Sequence, residues 1–401
     1  MVKISAIRPY IPKNPQTFCT NPYDVIDKEE EIELKKNPDS LIHLILPDGN
    51  DEEKYQNAKQ AYKKYKNKGI IHQIDDPSVF VYRQESSNFS QQGFILGISL
   101  RDYEEGNVVK HEHTREKPLK DRMKHINSTK VAAGLVWSVY QDNKRINAIQ
   151  EKIKKKSPIF DFELYGYRHL LWQETDQIII EQLAQLLKDK QVYIADGHHR
   201  AASAAKYRQN QLSAPNVDPE RDYPWNYLLS YLASDNQVRI LAYNRVIREI
   251  DDTPKDFLKK LEKTYEIQPV NKAFNPKSKH EIAMCLKGQW YSLKVKSSSF
   301  ESRVDSLDVS ILQNEVIAPI LNIKDVRASD NIFFVGGVQD PELLGEYVKK
   351  KGNTIVFNLF PVYIKDLEYI AESGGVMPPK STWFDPKVLS GLLLYDLNEN
   401  S

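Results

Sequence analysis

Residues 192–202, Val192-Tyr193-Ile194-Ala195-Asp196-Gly197-His198-His199-Arg200-Ala201-Ala202, constrain the chain more than any other stretch. The apolar run 192–195 has the length of one buried strand. The run Ala201-Ala202-Ser203-Ala204-Ala205-Lys206-Tyr207 is made almost wholly of strong helix formers. A chain that passes directly from a buried strand into a helix must turn tightly. The residues given to that turn are a carboxylate, a glycine, two imidazoles and a guanidinium, a concentration of chemistry that packing does not require.

A helix leaves its first backbone N–H groups without intrahelical partners, and its dipole adds partial positive charge there. A helix starting just after Gly197 is therefore a ready site for an anion, phosphate above all. Gly197 lets backbone approach a ligand closely. Arg200 can grip two phosphate oxygens at once, and His198 and His199 can donate hydrogen bonds or take up protons. Asp196, at the strand's end, is placed to hold a magnesium ion carried by phosphates. The competing reading makes Asp196 a cap and leaves the histidines in solvent. Asp-Gly-His-His-Arg between a strand and a helix favours the ligand site.

With 401 residues, 40% hydrophobic and 28% charged, the chain is long enough for two or three domains, or one large one, and can bury a core. Its 56 basic and 55 acidic residues leave a net charge of +1, which gives no field for nucleic acid or an anionic membrane. Cys19 and Cys285 form neither a disulfide framework nor metal-ligand spacing, which suits a reducing compartment. The first residues lack the apolar core of a signal peptide, and no apolar run approaches the length of a membrane span. A cytoplasmic globular protein is expected. Nothing in the pattern indicates an oligomeric state.

Other clusters carry chemistry. Asn21-Pro22-Tyr23-Asp24 is an Asn-Pro turn that presents Tyr23 and Asp24, either to a ligand or as a packed ring and a cap for the helix expected near Lys28. The run 41–47 reads as a buried strand containing His43. Residues 79–83 and 94–100 read as a strand pair. In His111-Glu112-His113-Thr114 the alternation of an extended chain points Glu112 away from both histidines, so a shared metal site is disfavoured. Glu112 alone is the candidate general base. Asp121 and Arg122 start a helix and can pair on its surface. Residues 174–190 read as an amphipathic helix with Ile178, Ile179, Leu183, Leu186 and Leu187 on its buried side. Its chain then enters the opening motif. Residues 239–247 read as a strand. In Met377-Pro378-Pro379-Lys380-Ser381-Thr382-Trp383-Phe384-Asp385-Pro386-Lys387 the prolines fix an extended entry. Lys380, Ser381 and Thr382 can hold phosphate or a carboxylate there, and Trp383 and Phe384 can cover a base. A surface turn is the alternative.

Together these clusters resemble the family known as domain of unknown function 1015, a bacterial and archaeal group placed near the ParB/sulfiredoxin superfamily. The resemblance runs nearly end to end, through residues 21–25, 111–114, 121–122, 194–200, Tyr243-Asn244-Arg245, Leu307-Asp308-Val309 and 377–386. Gly197-His198-His199-Arg200 looks like the turn with which that superfamily binds nucleotide phosphates at a helix start. One branch phosphorylates free L-serine with ADP or ATP as donor, using an acidic residue to activate the hydroxyl. The resemblance thus implies a nucleotide-dependent kinase of a small hydroxyl compound, served by ATP or ADP and magnesium. On that reading Glu112, Asp196, His198 and His199 are the catalytic group. Gly197, His198, His199, Arg200, Lys380, Ser381 and Thr382 hold the nucleotide, and Tyr23, Asp24, Thr114, Asn244 and Arg245 hold the acceptor. The chain departs from sulfiredoxin in having His198 and His199 where that enzyme has its catalytic cysteine. It departs from ParB proteins in lacking a helix-turn-helix and a basic DNA face.

Two other functions fit some of these residues. One is a nucleotide-binding regulator without small-molecule transfer. The other is a metal-dependent hydrolase built on His111, His113, His198 and His199. The expected fold is α+β, a mixed β-sheet with surrounding helices, because strands and helices alternate irregularly and many strands pair as hairpins. The resemblance adds a ParB/sulfiredoxin-like nucleotide-binding core. A boundary is expected near residue 248, with the nucleotide-binding region in 1–248 and an appended α+β region in 249–401 whose last segment folds back on the site.

Overall fold

A computed structural model describes residues 1–398 except His113, Arg115, Asn216, Ser298 and Gln339. The chain is α+β and divides into two compact units, Met1–Val238 with Pro386–Ser401, and Arg239–Asp385.

The first unit is built on a mixed sheet. Across it the strands run Val108–Val109, Val192–Asp196, Val136–Tyr140, Tyr227–Ser234, Ser90–Ser99, Val79–Glu85, Tyr167–Glu174 and Phe160–Leu164, with Ile4–Ser5 beside Ser90–Ser99. Val108–Val109 is parallel to Val192–Asp196, and Val136–Tyr140 is parallel to Tyr227–Ser234. The other neighbours are antiparallel. Tyr227–Ser234 and Val136–Tyr140 are buried along their whole length, which is why they read as continuous apolar runs rather than alternating ones. The 79–83 and 94–100 runs form an antiparallel pair, as their patterning predicts. Helix Asp51–Asn67 buries Tyr55, Ala58, Tyr62 and Tyr65 along one stripe and leaves its charges outside.

Two local expectations are corrected. The run 41–47 is not a strand: Ile42–Ile45 is one helical turn, with His43 Nε2 3.0 Å from the Asn37 carbonyl oxygen. A short apolar run fits either element, and periodicity cannot separate them. In helix Gln177–Leu187, Ile178 sits just inside the Asp176 cap and is 67% exposed. The buried stripe is Ile179, Ile180, Leu183 and Leu187.

The second unit carries an antiparallel sheet. Its order is Tyr265–Val270, Gln289–Val295, Glu281–Leu286, Ile355–Asn358, Arg239–Ile247 and Ile332–Gly336. Residues 382–385, for which a surface turn was the alternative, form a strand that pairs antiparallel with Arg239–Ala242. Val246, Cys285, Trp290, Leu344 and Val356 form part of its core. Among the described residues no helix is long and apolar enough to cross a membrane.

Candidate functional site

The turn after strand Val192–Asp196 is tighter than its composition indicates. Gly197 is the helix cap, in the left-handed region at φ 94°, and the helix runs His198–Leu212. It therefore begins three residues before the alanine run. His198, His199 and Arg200 are its first turn rather than a loop ahead of it. A Cβ at residue 197 would lie 3.0 Å from the Arg200 Cζ as well as being strained at this φ, so the turn requires glycine. Side chains cap several other helices: Asp27, Asn143, Asp176, Thr253 and Asp340 accept first-turn N–H groups. Gly197 has no side chain to offer, so the helix His198–Leu212 lacks the N-cap bond those helices have.

Charge converges on this helix start. Asp196 Oδ2 accepts from Arg200 Nη2 at 2.9 Å, and Asp196 Oδ1 lies 3.4 Å from Lys387 Nζ. Arg200 Nη1 donates to the Leu135 carbonyl. Burial disfavours the ionised Asp196, but Lys387, Arg200 and His198 outweigh it and hold the carboxyl well below its usual range. Arg200 and Lys387 both face Asp196 at the end of the helix where the dipole is also positive. Lys387 belongs to the returning segment of the first unit, which the amides of Gln84 and Gln91 tie down through the carbonyls of Lys387 and Pro386.

The edge strand Val108–Val109 adds a residue to the turn. Val108 pairs with Val192 and Val109 with Tyr193, so the chain continues alongside the end of the central strand. His111 then hydrogen-bonds the Ile194 backbone and packs edge-on against His198, ring centroids 4.5 Å apart. Both rings are buried. Desolvation pushes His198 down to about 4 and His111 well below its ordinary value, so both are neutral at pH 7. Among the described residues, His111 Nδ1 and His198 Nε2 have no hydrogen-bond partner. A buried polar atom left without a partner costs about 1–3 kcal/mol, and two at one place mark where a ligand's polar atoms would be welcome. Sequence reasoning considered His111 only as a metal ligand. The signal for its actual place is the parallel pairing of two strands far apart in the chain.

The Asn-Pro turn also arrives here. The Tyr23 ring lies under the Arg122 guanidinium, 4.2 Å from Cζ to centroid. Tyr23 and Asp24 both act electrostatically on Arg200. Desolvation, with Asp24 beside it, raises the Tyr23 phenol. Arg122 is fixed by Asp121, 2.5 Å from Nη2, and Asp121 also accepts from Lys54 at 2.7 Å and the Tyr55 hydroxyl at 2.8 Å. Tyr23, Arg122, Gly134, Arg200, Ser203 and Tyr207 help to line a mainly apolar cavity of about 80 Å³ next to the helix start. Glu112 and Thr114 are half-buried in the segment that follows His111. His113 lies outside the described residues. Among the described residues no group of three or more His, Cys, Asp or Glu can hold a metal ion.

Asn244, Arg245, Lys380, Ser381 and Thr382 belong to the second unit. Asn244 and Arg245, adjacent on one strand, point to opposite faces of the sheet. Asn244 Oδ1 accepts from the Leu359 N–H at 3.1 Å, whereas Arg245 lies against Phe334. Lys380 Nζ reaches the Tyr243 hydroxyl at 3.3 Å, Ser381 Oγ donates to the Pro378 carbonyl at 2.6 Å, and Thr382 pairs with Ala242 in the sheet.

Three solved structures align with about three quarters of the chain. A free serine kinase in complex with AMP is 13% identical over 74% of this chain and 92% of that one, with a TM-score of 0.38. A conserved hypothetical protein from Pyrococcus furiosus is 14% identical over 74% and 95%, with a TM-score of 0.36. SbnI with C-terminal truncation from Staphylococcus aureus is 10% identical over 75% and 87%, with a TM-score of 0.40. No curated protein sequence matches the chain. The model of the family described as "Protein of unknown function (DUF1015)" matches residues 4–310, a span that holds Tyr23, His111 and the whole 196–200 turn, and the chain belongs to that family.

Proposed function

We propose that the first unit binds the phosphates of a nucleotide at residues 197–200 and passes a phosphoryl group to a small hydroxyl compound, with free L-serine the first acceptor to try. The observation that carries this reading is the helix start at Gly197, which has no N-cap side chain, flanked by Arg200 and Lys387 and backed by two buried imidazoles that each have a nitrogen without a partner among the described residues. Phosphoryl transfer depends mainly on positioning and charge neutralisation, and these are what such a turn supplies. The first-turn amides and Arg200 would hold the phosphates, and neutral His198 and His111 would hydrogen-bond them without adding charge. Lys387 would neutralise charge on the phosphoryl group as it leaves the donor. Glu112, in the segment that follows His111, would be the acid that takes the acceptor's hydroxyl proton. ATP would leave as ADP, or ADP as AMP. Asp196 is the carboxylate that would hold a magnesium ion carried by the phosphates, and the ion would supply further charge neutralisation there. The cavity beside Arg200 gives an apolar part of a ligand somewhere to go.

Phosphorus NMR of the protein with ATP or ADP, across a panel of amino acids and hydroxy acids, tests the proposal. Nucleotide-dependent phosphoserine is the expected product. A different phosphoester would reassign the acceptor, and no phosphoester at all would defeat transfer. A nucleotide-binding regulator is the second reading, favoured by the engagement of both Asp196 oxygens with cations. It predicts nucleotide binding or slow hydrolysis that no acceptor accelerates.

A further inference from the structure

The second unit buries a cation that no acid among the described residues accompanies. Arg245 lies in the middle of strand Arg239–Ile247 and is 3% exposed. Its guanidinium donates to the Tyr243 carbonyl and, at 3.4 Å, to the Pro379 carbonyl, and its Cζ lies 5.2 Å from the Phe334 ring centroid. Two bonds to neutral carbonyls leave part of its five-donor fork unspent and its charge uncompensated. Among the described residues no carboxylate pairs with it. Other charges in this unit are treated differently: Asp366, fully buried, pairs with Lys279 and Arg303, and Arg239 pairs with Asp385. Desolvation pushes Arg245 below the ordinary guanidinium value, with only Tyr243 opposing it. A guanidinium does not give up its proton in a protein, so the cost falls on stability until an anion arrives.

A second cation shares the Tyr243 neighbourhood with the first. Lys380 takes a left-handed backbone conformation, φ 59°, and its ammonium lies 5.0 Å over the Tyr243 ring and 3.3 Å from that hydroxyl. No carboxylate among the described residues pairs with Lys380 either. Tyr243 and Arg245 are two residues apart on one strand, hence on one face, and Lys380 lies over the Tyr243 ring of that face. Phe334 and Tyr243 meet edge to face, 6.4 Å between centroids, and form an aromatic wall beside the guanidinium. The Pro379 carbonyl that Arg245 holds immediately precedes Lys380, so Arg245 also fixes the backbone that presents the ammonium.

We propose that Arg245 and Lys380 form a binding site for a small oxyanion, the phosphate or carboxylate group of a small molecule, against the Tyr243–Phe334 wall and within the second unit. The site does not rest on the phosphotransfer reading. A planar guanidinium fork and a point-charge ammonium are the complementary pair for a group with two or three charged oxygens.

The test uses the full chain in phosphate-free buffer, with inorganic phosphate and acetate as separate probes. The first unit's turn would also take phosphate, so the measurements are made on Arg200→Gln, in which that turn is disabled. Calorimetry is expected to show an anion equivalent that survives Arg200→Gln, weakens at least tenfold on adding Lys380→Gln and disappears on adding Arg245→Met. Lys380 is exposed, so Lys380→Gln reads binding without threatening the fold. Thermal melting gives a second readout: the probe anion should raise the melting temperature of the Arg200→Gln protein and leave that of Arg200→Gln/Arg245→Met unmoved. Phosphate selects the phosphate class and acetate the carboxylate class. Binding that neither Lys380→Gln nor Arg245→Met affects, or no second equivalent at all, would overturn the proposal. So would an Arg245→Met protein that melts lower by the same amount with and without anion, because that is the behaviour of a structural staple.

Discussion

Lowering the pH from 7 to 5 should loosen the first unit and tighten the second. Three histidines of the first unit, His125, His169 and His198, are buried and held down to about 4, each chiefly by desolvation. His125 Nε2 is bonded to the Leu44 carbonyl, and His169 lies between the Tyr82 hydroxyl and the Leu164 carbonyl. Their folded values lie below the unfolded value of 6.5, so at pH 5 the unfolded chain binds more protons than the fold does. Stability then falls as pH falls through 6.5, and the loss levels off near pH 4. At pH 5 each such group costs about 2 kcal/mol. Three together cost about 6 kcal/mol, comparable with the whole stability of many domains. His111, lowered further, adds to the loss. Asp308 in the second unit has the opposite sign. Burial raises its carboxyl to about 7, and the His280 N–H bond only partly offsets that. Its folded value lies above the unfolded one, so it gains stability as pH falls from 7 toward 3.8, about 2 kcal/mol by pH 5. Hydrogen exchange at pH 7 and pH 5, corrected for intrinsic rates, would separate the two units. Protection should drop in strands Val136–Tyr140 and Tyr167–Glu174 and hold or rise in Glu281–Leu286. Equal protection of the first unit at both pH values would refute the desolvated-histidine reasoning, as would a second unit that weakens more than the first.

Three substitutions extend the account. Gly197→Ala forces a Cβ into the left-handed region and toward Arg200; it should lose about 1–2 kcal/mol in denaturant unfolding and weaken phosphate binding at the turn. Asp121→Asn leaves Lys54 and Arg122 without their acid; the expected loss of about 2 kcal/mol is read the same way. Gly336→Ala would drive a methyl into the Trp383 ring; it should destabilise the second unit by about 2 kcal/mol or more, seen as earlier quenching of a buried tryptophan signal in a thermal melt.

What the sequence displayed of the site follows from how far apart its parts lie in the chain. Residues 192–207 were legible because strand, glycine and helix formers are consecutive, and local propensity settles them. Even there the helix start was displaced, since two histidines and an arginine are poorer helix signals than the alanines after them. Tyr23 and Asp24 were recognisable as presented residues, but their approach to Arg200 depends on tertiary packing. His111 and Lys387 reach Asp196 and His198 only through a parallel edge pairing and a returning terminal segment, neither of which leaves a local pattern. The division of Asn244 from Arg245 was written in the period of a strand. The uncompensated burial of Arg245 was not, because it depends on what is absent around the side chain. The fold class was legible from irregular alternation and hairpin spacing, while the helical turn at Ile42–Ile45 was lost to the ambiguity of a short apolar run.

The most direct test of the central reading is calorimetric titration of ATP and ADP into Lys380→Gln protein, which leaves the first unit's turn untouched, compared with the same protein carrying Arg200→Gln or Lys387→Gln. The account predicts one nucleotide equivalent whose affinity falls at least tenfold in each of the two turn variants. Absence of nucleotide binding, or binding that both variants leave unchanged, would contradict the assignment of residues 196–200 as a phosphate site.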